Sequence, residues 1–448
     1  MTNQPEFDIV LWGGSSFVGK LVAEHLHQTY GVDGSLRWAI GGRNESKLKD
    51  TRARLGDGAE KLPIIVGDAF DRPFLDSMVQ RTRVVLSTVG PYAVYGKELV
   101  AACAAHGTDY CDLTGEIPFI QEMMDRHADE ARDSGARILH CCGVDSLPSD
   151  LGVRILSEVA IQQFGCGLTH VTNEVKSFKG KFSGGTIASL GGVHSAAARD
   201  EKVAAILKNP YAICPPNRRC GIAQPDLAAV RRSESGRWLG PFFMAIVNTR
   251  VVHATNAQLD YPYGTEFTYD EGWDVGGRLA ASILALVSRV FYRAYRYGPI
   301  RAVLNATVLP AAGQGPSRKS RDEGEFEFHF IARTRSEHRL MLAVSGDRDP
   351  GYGASSRMIG EVAVCLADDL PKSALCGGFW TPGAAIADKI IPRLIENAGM
   401  KFELLTETGD RRPVGSQSFV DDAPDACETQ HNGHDTSANS SNESPICG

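Results

Sequence analysis

Two rhythms of apolar and polar positions divide the chain. Over roughly the first 145 residues, short apolar runs alternate with segments of helical period. Phe7–Trp12, Leu36–Ile40, Pro63–Gly67 and Val84–Val89 read as buried strands, with shorter ones at Asp109–Asp112 and Arg137–Cys142. Helical patterns fill the gaps at Lys20–Leu26, Gly96–Ala105 and Glu122–Ser134. Strands that alternate with helices predict a doubly wound parallel sheet, α/β in class, over residues 1–150.

Near Ser149 the rhythm changes. His170–Val175, Phe242–His253, Phe326–Ile331 and Leu340–Val344 alternate or run apolar, as strands do. Helices are expected at Thr186–Leu207 and Arg357–Asp368. The pattern predicts a second, α+β domain over 151–375 with a mainly antiparallel sheet. Within it, 277–297 is an apolar segment too short to span a bilayer, with Arg289, Arg293 and Arg296 at helical spacing on one side. Such a helix can lie in a membrane interface, pack on the protein itself or meet a second subunit in a homodimer. Residues 409–448 are polar and Ser/Asn/Asp-rich, the composition of a disordered tail.

A length of 448 residues fits two domains and a tail. The net charge of −7, without a basic run, gives no sign of a nucleic-acid partner, and none is expected. Eleven cysteines lie scattered without C-x-x-C pairs, so neither a zinc site nor a disulfide framework is expected. The polar N-terminus enters a strand directly, and a reducing cytoplasm is the expected setting, with peripheral membrane contact through 277–297 as an addition.

Candidate chemistry concentrates where the predicted strands end. Gly13, Gly14, Ser15, Ser16, Phe17, Val18 and Gly19 link the first strand to a helix. A tight glycine turn at a helix N-terminus cradles a phosphate, here the pyrophosphate of a dinucleotide. Ser16 stands where a G-x-x-G-x-x-G spacing would place glycine. The second strand ends at Arg43, Asn44 and Lys47 rather than at an acidic residue. An arginine there can stack on adenine and fork onto a 2′-phosphate, which predicts NADP(H) over NAD(H). Asp68 ends the third strand beside the adenine edge. Thr88, Val89, Gly90 and Pro91 end the fourth, over the nicotinamide.

Longer stretches are specific. Tyr110–Glu116 reads Tyr-Cys-Asp-Leu-Thr-Gly-Glu, and Gly143–Asp150 reads Gly-Val-Asp-Ser-Leu-Pro-Ser-Asp. With Ser87–Tyr92, Asp349–Gly353 and Gly377–Gly383, they make the chain resemble the saccharopine dehydrogenase-like oxidoreductases over about 6–405, and within them the trans-acting enoyl reductases. The resemblance implies an N-terminal Rossmann domain and a C-terminal segment, 376–408, whose helix packs back on it. It also implies reduction of a carbon–carbon double bond in a lipid-like or carrier-bound enoyl substrate. That reaction needs a donor at the thioester carbonyl and a proton for the α-carbon. Tyr92 is a candidate donor, or an apolar anchor beneath the cofactor. Glu116 and Asp145 are candidate proton relays, or ties that hold their loops. Ser146 and Ser149 read as helix caps, and His194 as a residue of the second domain able to face the cleft. Two other functions stay open: oxidation or reduction of a small amino-acid-derived substrate, and cofactor binding without turnover by a protein that docks on lipid surfaces.

Overall fold

The structure is a computed structural model that describes residues 5–180, 196–295, 297 and 315–414. His194 and the start of the helix expected at Thr186 lie outside the described residues. The first domain is built on seven parallel strands. These are β1 (Phe7–Trp12), β2 (Trp38–Gly42), β3 (Ile64–Val66), β4 (Thr82–Ser87), β5 (Asp109–Asp112), β6 (Arg137–Leu139) and, from far along the chain, β13 (Gly378–Trp380). The spatial order is β13-β6-β5-β4-β1-β2-β3. Strand order therefore reverses between β1 and β4, the crevice in which doubly wound sheets hold their ligands.

The crossovers are α1 (Phe17–Tyr30), α2 (Glu45–Arg54), α3 (Arg72–Val79), α4 (Tyr92–Tyr95), α5 (Lys97–His106), α6 (Ile117–Ser134) and α7 (Leu147–Phe164). Their ends follow local chemistry. Ser16, Asn44 and Asp71 accept amide hydrogen bonds at the starts of α1, α2 and α3. Pro118 and Pro148 occupy the first turns of α6 and α7, where a missing N–H costs nothing.

Eight strands form the second sheet, in the order β15-β14-β12-β11-β7-β10-β9-β8. They are β7 (Leu168–Lys179), β8 (Arg231–Arg232), β9 (Trp238–Pro241), β10 (Thr268–Asp274), β11 (Glu325–Thr334), β12 (Arg339–Gly346), β14 (Met400–Leu405) and β15 (Arg411–Pro413). Every pairing is antiparallel except β7 with β10. Helices α8 (Glu201–Lys208), α9 (Ala245–Gln258), α10 (Arg278–Tyr295) and α11 (Arg318–Asp322) lie between its strands in sequence. After β12 come α12 (Ser355–Val364), α13 (Pro382–Ala385) and α14 (Ala387–Asn397).

Three readings of the sequence are corrected here. Phe242–His253 is not a strand: α9 begins at Ala245 and runs through it. From Val247 to Ala257 every residue is buried, so neither a helical nor a two-residue period survives in its polarity. Residues 411–413, placed in the tail, form β15 against β14. The helix near 357–368, assigned to the second domain, belongs with the first sheet. There α12 lies against α1, and its buried Glu361 takes hydrogen bonds from His25 at 2.8 Å and Tyr30 at 2.7 Å. Arg393 and Asn397 of α14 reach the same Tyr30 and Glu361.

Helix α9 joins the domains. Its Thr255 donates to Asp150 at the start of α7 and bonds Thr381 at 2.6 Å, and its Gln258 bridges the Phe379 carbonyl and the Thr381 amide. Asp150 also accepts from the Gly383 amide at 2.6 Å. Burial pushes its carboxyl up to about 7.

Candidate active site

At the crevice between β1 and β4, the geometry of Gly13–Gly19 requires its glycines. Gly13 has φ +96°, and a Cβ there would sit 2.6 Å from Val89 Cγ2. A Cβ on Gly19 would sit 2.1 Å from the Gly13 carbonyl oxygen, so the helix could not approach the turn. Ser16 takes over what a glycine would leave open: its hydroxyl accepts the Gly19 amide at 2.8 Å and bonds Thr88 Oγ1 at 3.0 Å. The amides of Phe17 and Val18 lead α1 and meet no acceptor among the described residues. Ser15 to Val18 are half-buried, open on one side. This is a cradle for an anion at a helix N-terminus.

Beside it, Arg43 ends β2 exposed, with no acidic partner among the described residues. Lys47 is exposed one turn into α2. The ammonium of Lys20 is held below its usual range by burial, and by the charges of Arg54 and Lys47. Asp50 offsets part of this charge at Lys20, but Arg43 and Lys47 have no ion-pair partner among the described residues and can meet an anion from outside the chain. Asn44 caps α2 by accepting the Lys47 amide at 2.9 Å. Asp68 turns the loop after β3 by accepting the Phe70 amide at 2.9 Å. Phe70 itself, unnoticed in the sequence, is 59 % exposed beside Tyr95 and offers an apolar wall at this end of the sheet.

Opposite the glycine turn, Thr88 is buried and donates to the Gly13 carbonyl at 3.1 Å, so it fixes the turn. Val89 packs on that turn, and Gly90 and Pro91 continue past it, Gly90 exposed.

The candidate proton-handling residues separate into two kinds. Tyr92 points inward: its hydroxyl donates to the Ser87 carbonyl at 3.2 Å and accepts the Leu113 amide at 3.3 Å, and burial drives its pKa upward. That corrects the reading of Tyr92 as a carbonyl donor in favour of an anchor. Glu116 is also buried. Its two oxygens accept the Tyr92 and Ala93 amides at 2.9 and 3.0 Å, which makes it the tie of this loop instead of a relay. Asp145 differs. It lies half-buried in the loop after β6, and burial alone pushes its carboxyl up to about 6. Ser146 sits at the N-cap of α7 without a side-chain capping bond. Ser149 instead accepts from Asn248 at 3.2 Å within a buried cluster. In that cluster Asn248, Asn173 and Tyr269 donate to Glu271, whose carboxyl burial pushes up to about 8.

Reading the sequence missed a pair that the fold assembles. His140 follows β6 and Asp112 ends β5. His140 Nδ1 donates to Asp112 Oδ2 at 2.8 Å. The same carboxylate accepts from the Tyr110 hydroxyl at 2.9 Å and the Thr114 amide at 3.0 Å. Phe119, Tyr110 and Phe379 flank the imidazole ring. Its Nε2 is buried without a partner and faces a cavity of about 20 Å³ between the domains, room for a single water. Next to it Cys141 adopts φ +63°, unusual for a non-glycine, and its thiol donates to the Thr114 carbonyl. A histidine at a strand end, with an aspartate at the end of the neighbouring strand, was the available signal.

The chain is similar to known proteins. Residues 9–139 match the saccharopine dehydrogenase NADP-binding domain. A Mycobacterium tuberculosis protein provisionally named a trans-acting enoyl reductase is 40 % identical over 88 % of this chain and 97 % of its own length. A trans-acting enoyl reductase of Mycobacterium ulcerans is 35 % identical over 87 % of this chain and 96 % of its own. Among solved structures, the apo L-glutamate-forming saccharopine dehydrogenase of Saccharomyces cerevisiae matches with a TM-score of 0.50 at 11 % identity, covering 89 % of this chain and 100 % of that one. The last comparison speaks to fold alone.

Proposed function

Since the chain belongs to the saccharopine dehydrogenase-like family and groups there with the trans-acting enoyl reductases, we propose that it uses NADPH to reduce the carbon–carbon double bond of a lipid-like or carrier-bound enoyl substrate. It is an NADP(H)-dependent oxidoreductase of the enoyl reductase type. The observation that carries the cofactor half of this reading is the glycine cradle, which a Cβ would fill, next to unanswered Arg43.

In this reading, the Phe17 and Val18 amides would take the pyrophosphate. Arg43 would fork onto the 2′-phosphate, with Lys47 and Lys20 adding charge. Phe70 and Asp68 would border the adenine, and Val89, Gly90 and Pro91 would wall the nicotinamide. When bound, the reduced nicotinamide supplies a hydride. The chain must then deliver a proton to the α-carbon, and Asp145 is our candidate by position. It is half-buried in the loop at the carboxyl end of β6, whereas Asp150 and Glu271 are fully buried and hydrogen-bonded. Burial pushes the Asp145 carboxyl up to about 6. Asp112 holds the His140 ring in one tautomer, a support for proton movement through the inter-domain cavity. That cavity is lined by Ile120, Met124, Ile213, Val251 and Phe379 among others, with no Arg or Lys in its described lining. At about 20 Å³ it holds a water and not a substrate, and its apolar lining keeps the space between the domains free of charge.

The test is turnover. Full-length protein given NADPH and a trans-2-enoyl thioester is expected to consume the cofactor and release the saturated thioester. Consumption only with imino or 2-oxo acids would overturn the reading. Asp145→Asn is expected to lower kcat by about a hundredfold. The wild-type rate should fall as pH rises through about 6, because the acid form is then lost, and the variant should not show that limb. An identical pH profile in both proteins would remove Asp145 from the proton path.

A further inference from the structure

The apolar stripe of α10 faces away from the protein. Leu279, Ile283, Leu286, Val287, Val290 and Phe291 are 41 to 75 % exposed. The helix is held instead by its small side: Ala281 and Ala285 are buried, and Leu284 lies against Gly240 of β9. At about 100° per residue, the exposed apolar side chains occupy the arc opposite those alanines. Arg289 and Arg293 run along one edge of that arc, both exposed and both without an acidic partner among the described residues. From Arg278 to Tyr297 there is no Asp or Glu at all.

We propose that α10 seats the enzyme on the surface of an anionic phospholipid bilayer. Its apolar arc would enter the acyl boundary and Arg289 and Arg293 would meet headgroup phosphates. The charge pattern selects this occupant. A second copy of the chain would bring no carboxylate on its own α10 to answer the arginines. Six bulky side chains on a convex helix are matched by a fluid boundary that moulds around them, without a shaped groove. At 18 residues the helix is about 27 Å long and lies in the interface, and no described helix is long and apolar enough to cross a membrane. The inference deepens the enoyl reading, on which it rests for its purpose, by giving a lipid-like substrate a surface from which to arrive.

Full-length protein is sedimented with vesicles of phosphatidylcholine alone or mixed with phosphatidylglycerol. It is expected to follow the mixed vesicles and leave the neutral ones, with less bound as salt rises. Val290→Asp, or Arg289→Glu with Arg293→Glu, should lower partitioning by about tenfold or more. Both proteins should keep the wild-type melting temperature and NADPH affinity, because the altered side chains are exposed and far from the cradle in sequence and role. No sedimentation with anionic vesicles would overturn the proposal. So would a wild-type dimer that Val290→Asp splits, which would make the face a subunit interface, or capture of an acidic carrier protein that Arg289→Glu abolishes while vesicles are ignored. The enoyl reading fails separately: turnover of a short, water-soluble enoyl thioester does not depend on α10.

Discussion

Helix α9 carries Asn248, Thr249, Arg250, His253, Thr255 and Asn256 and buries all six; α10, further along the same domain, carries Leu279, Ile283, Leu286, Val287, Val290 and Phe291 and exposes all six. Most of the polar groups of α9 are answered within the chain, although Asn248 Oδ1, Arg250 Nε and His253 Nε2 meet no partner among the described residues. Asn248 meets Glu271 and Ser149, Thr255 meets Asp150 and Thr381, and Asn256 bonds the Gly264 carbonyl and the Tyr263 amide. Buried polar atoms persist when partners are supplied, and here the partners come from both domains. The six exposed apolar side chains of α10 lie largely in water, with Phe291 in ring contact with Tyr292 and Tyr295 of its own helix. Large side chains left together in water mark a surface whose complement comes from elsewhere. Arg43 belongs with α10 in this respect, since its partner too must arrive from outside.

The contrast can be broken at its inner side first, where the effects are largest. Asn248→Leu removes a donor to buried Glu271 and Ser149 and is expected to cost about 2–3 kcal/mol of stability in denaturant unfolding. A loss below about 0.5 kcal/mol would show that α9 does not depend on its polar contacts. Glu271→Gln sharpens the point. A carboxyl raised from 4.5 to about 8 in the fold favours the protonated state, so wild-type stability should decline as pH rises through that window. The variant should lose that slope, as read from melting temperature against pH; an unchanged slope would assign it to another group. Smallest of all, Val290→Asp on α10 should change stability by no more than about 0.5 kcal/mol, because its site is already in water. A large loss would mean that the arc is packed.

Much of the first domain was legible in the sequence because its signals are local. Most strands of β1 to β6 carry a short apolar run, and the Gly13–Gly19 turn announces its own backbone demand. The roles of Tyr92 and Glu116 were not legible. What decides them is the Ser87 carbonyl, the Leu113 amide and two amides 23 and 24 residues from Glu116, none of which spacing alone brings together. The same holds for Asp112 and His140, joined only because β5 and β6 are neighbours. In α9 the missing period followed from burial on every side. In α10 the period was plain, but an apolar stripe does not say which way it points. Ala281 and Ala285, small enough to sit close on β9, settle that.

The cofactor cradle is the claim from which the functional account proceeds, and calorimetric titration of wild type and Arg43→Ala with NADPH and NADH tests it most directly. Wild type should bind NADPH more tightly than NADH. Arg43→Ala should weaken NADPH by about 1.5–3 kcal/mol, the range for a lost charged hydrogen bond, and leave NADH nearly unchanged. Equal weakening of both cofactors, or no preference in wild type, would contradict the assignment of Arg43 to the 2′-phosphate and with it the account of the site.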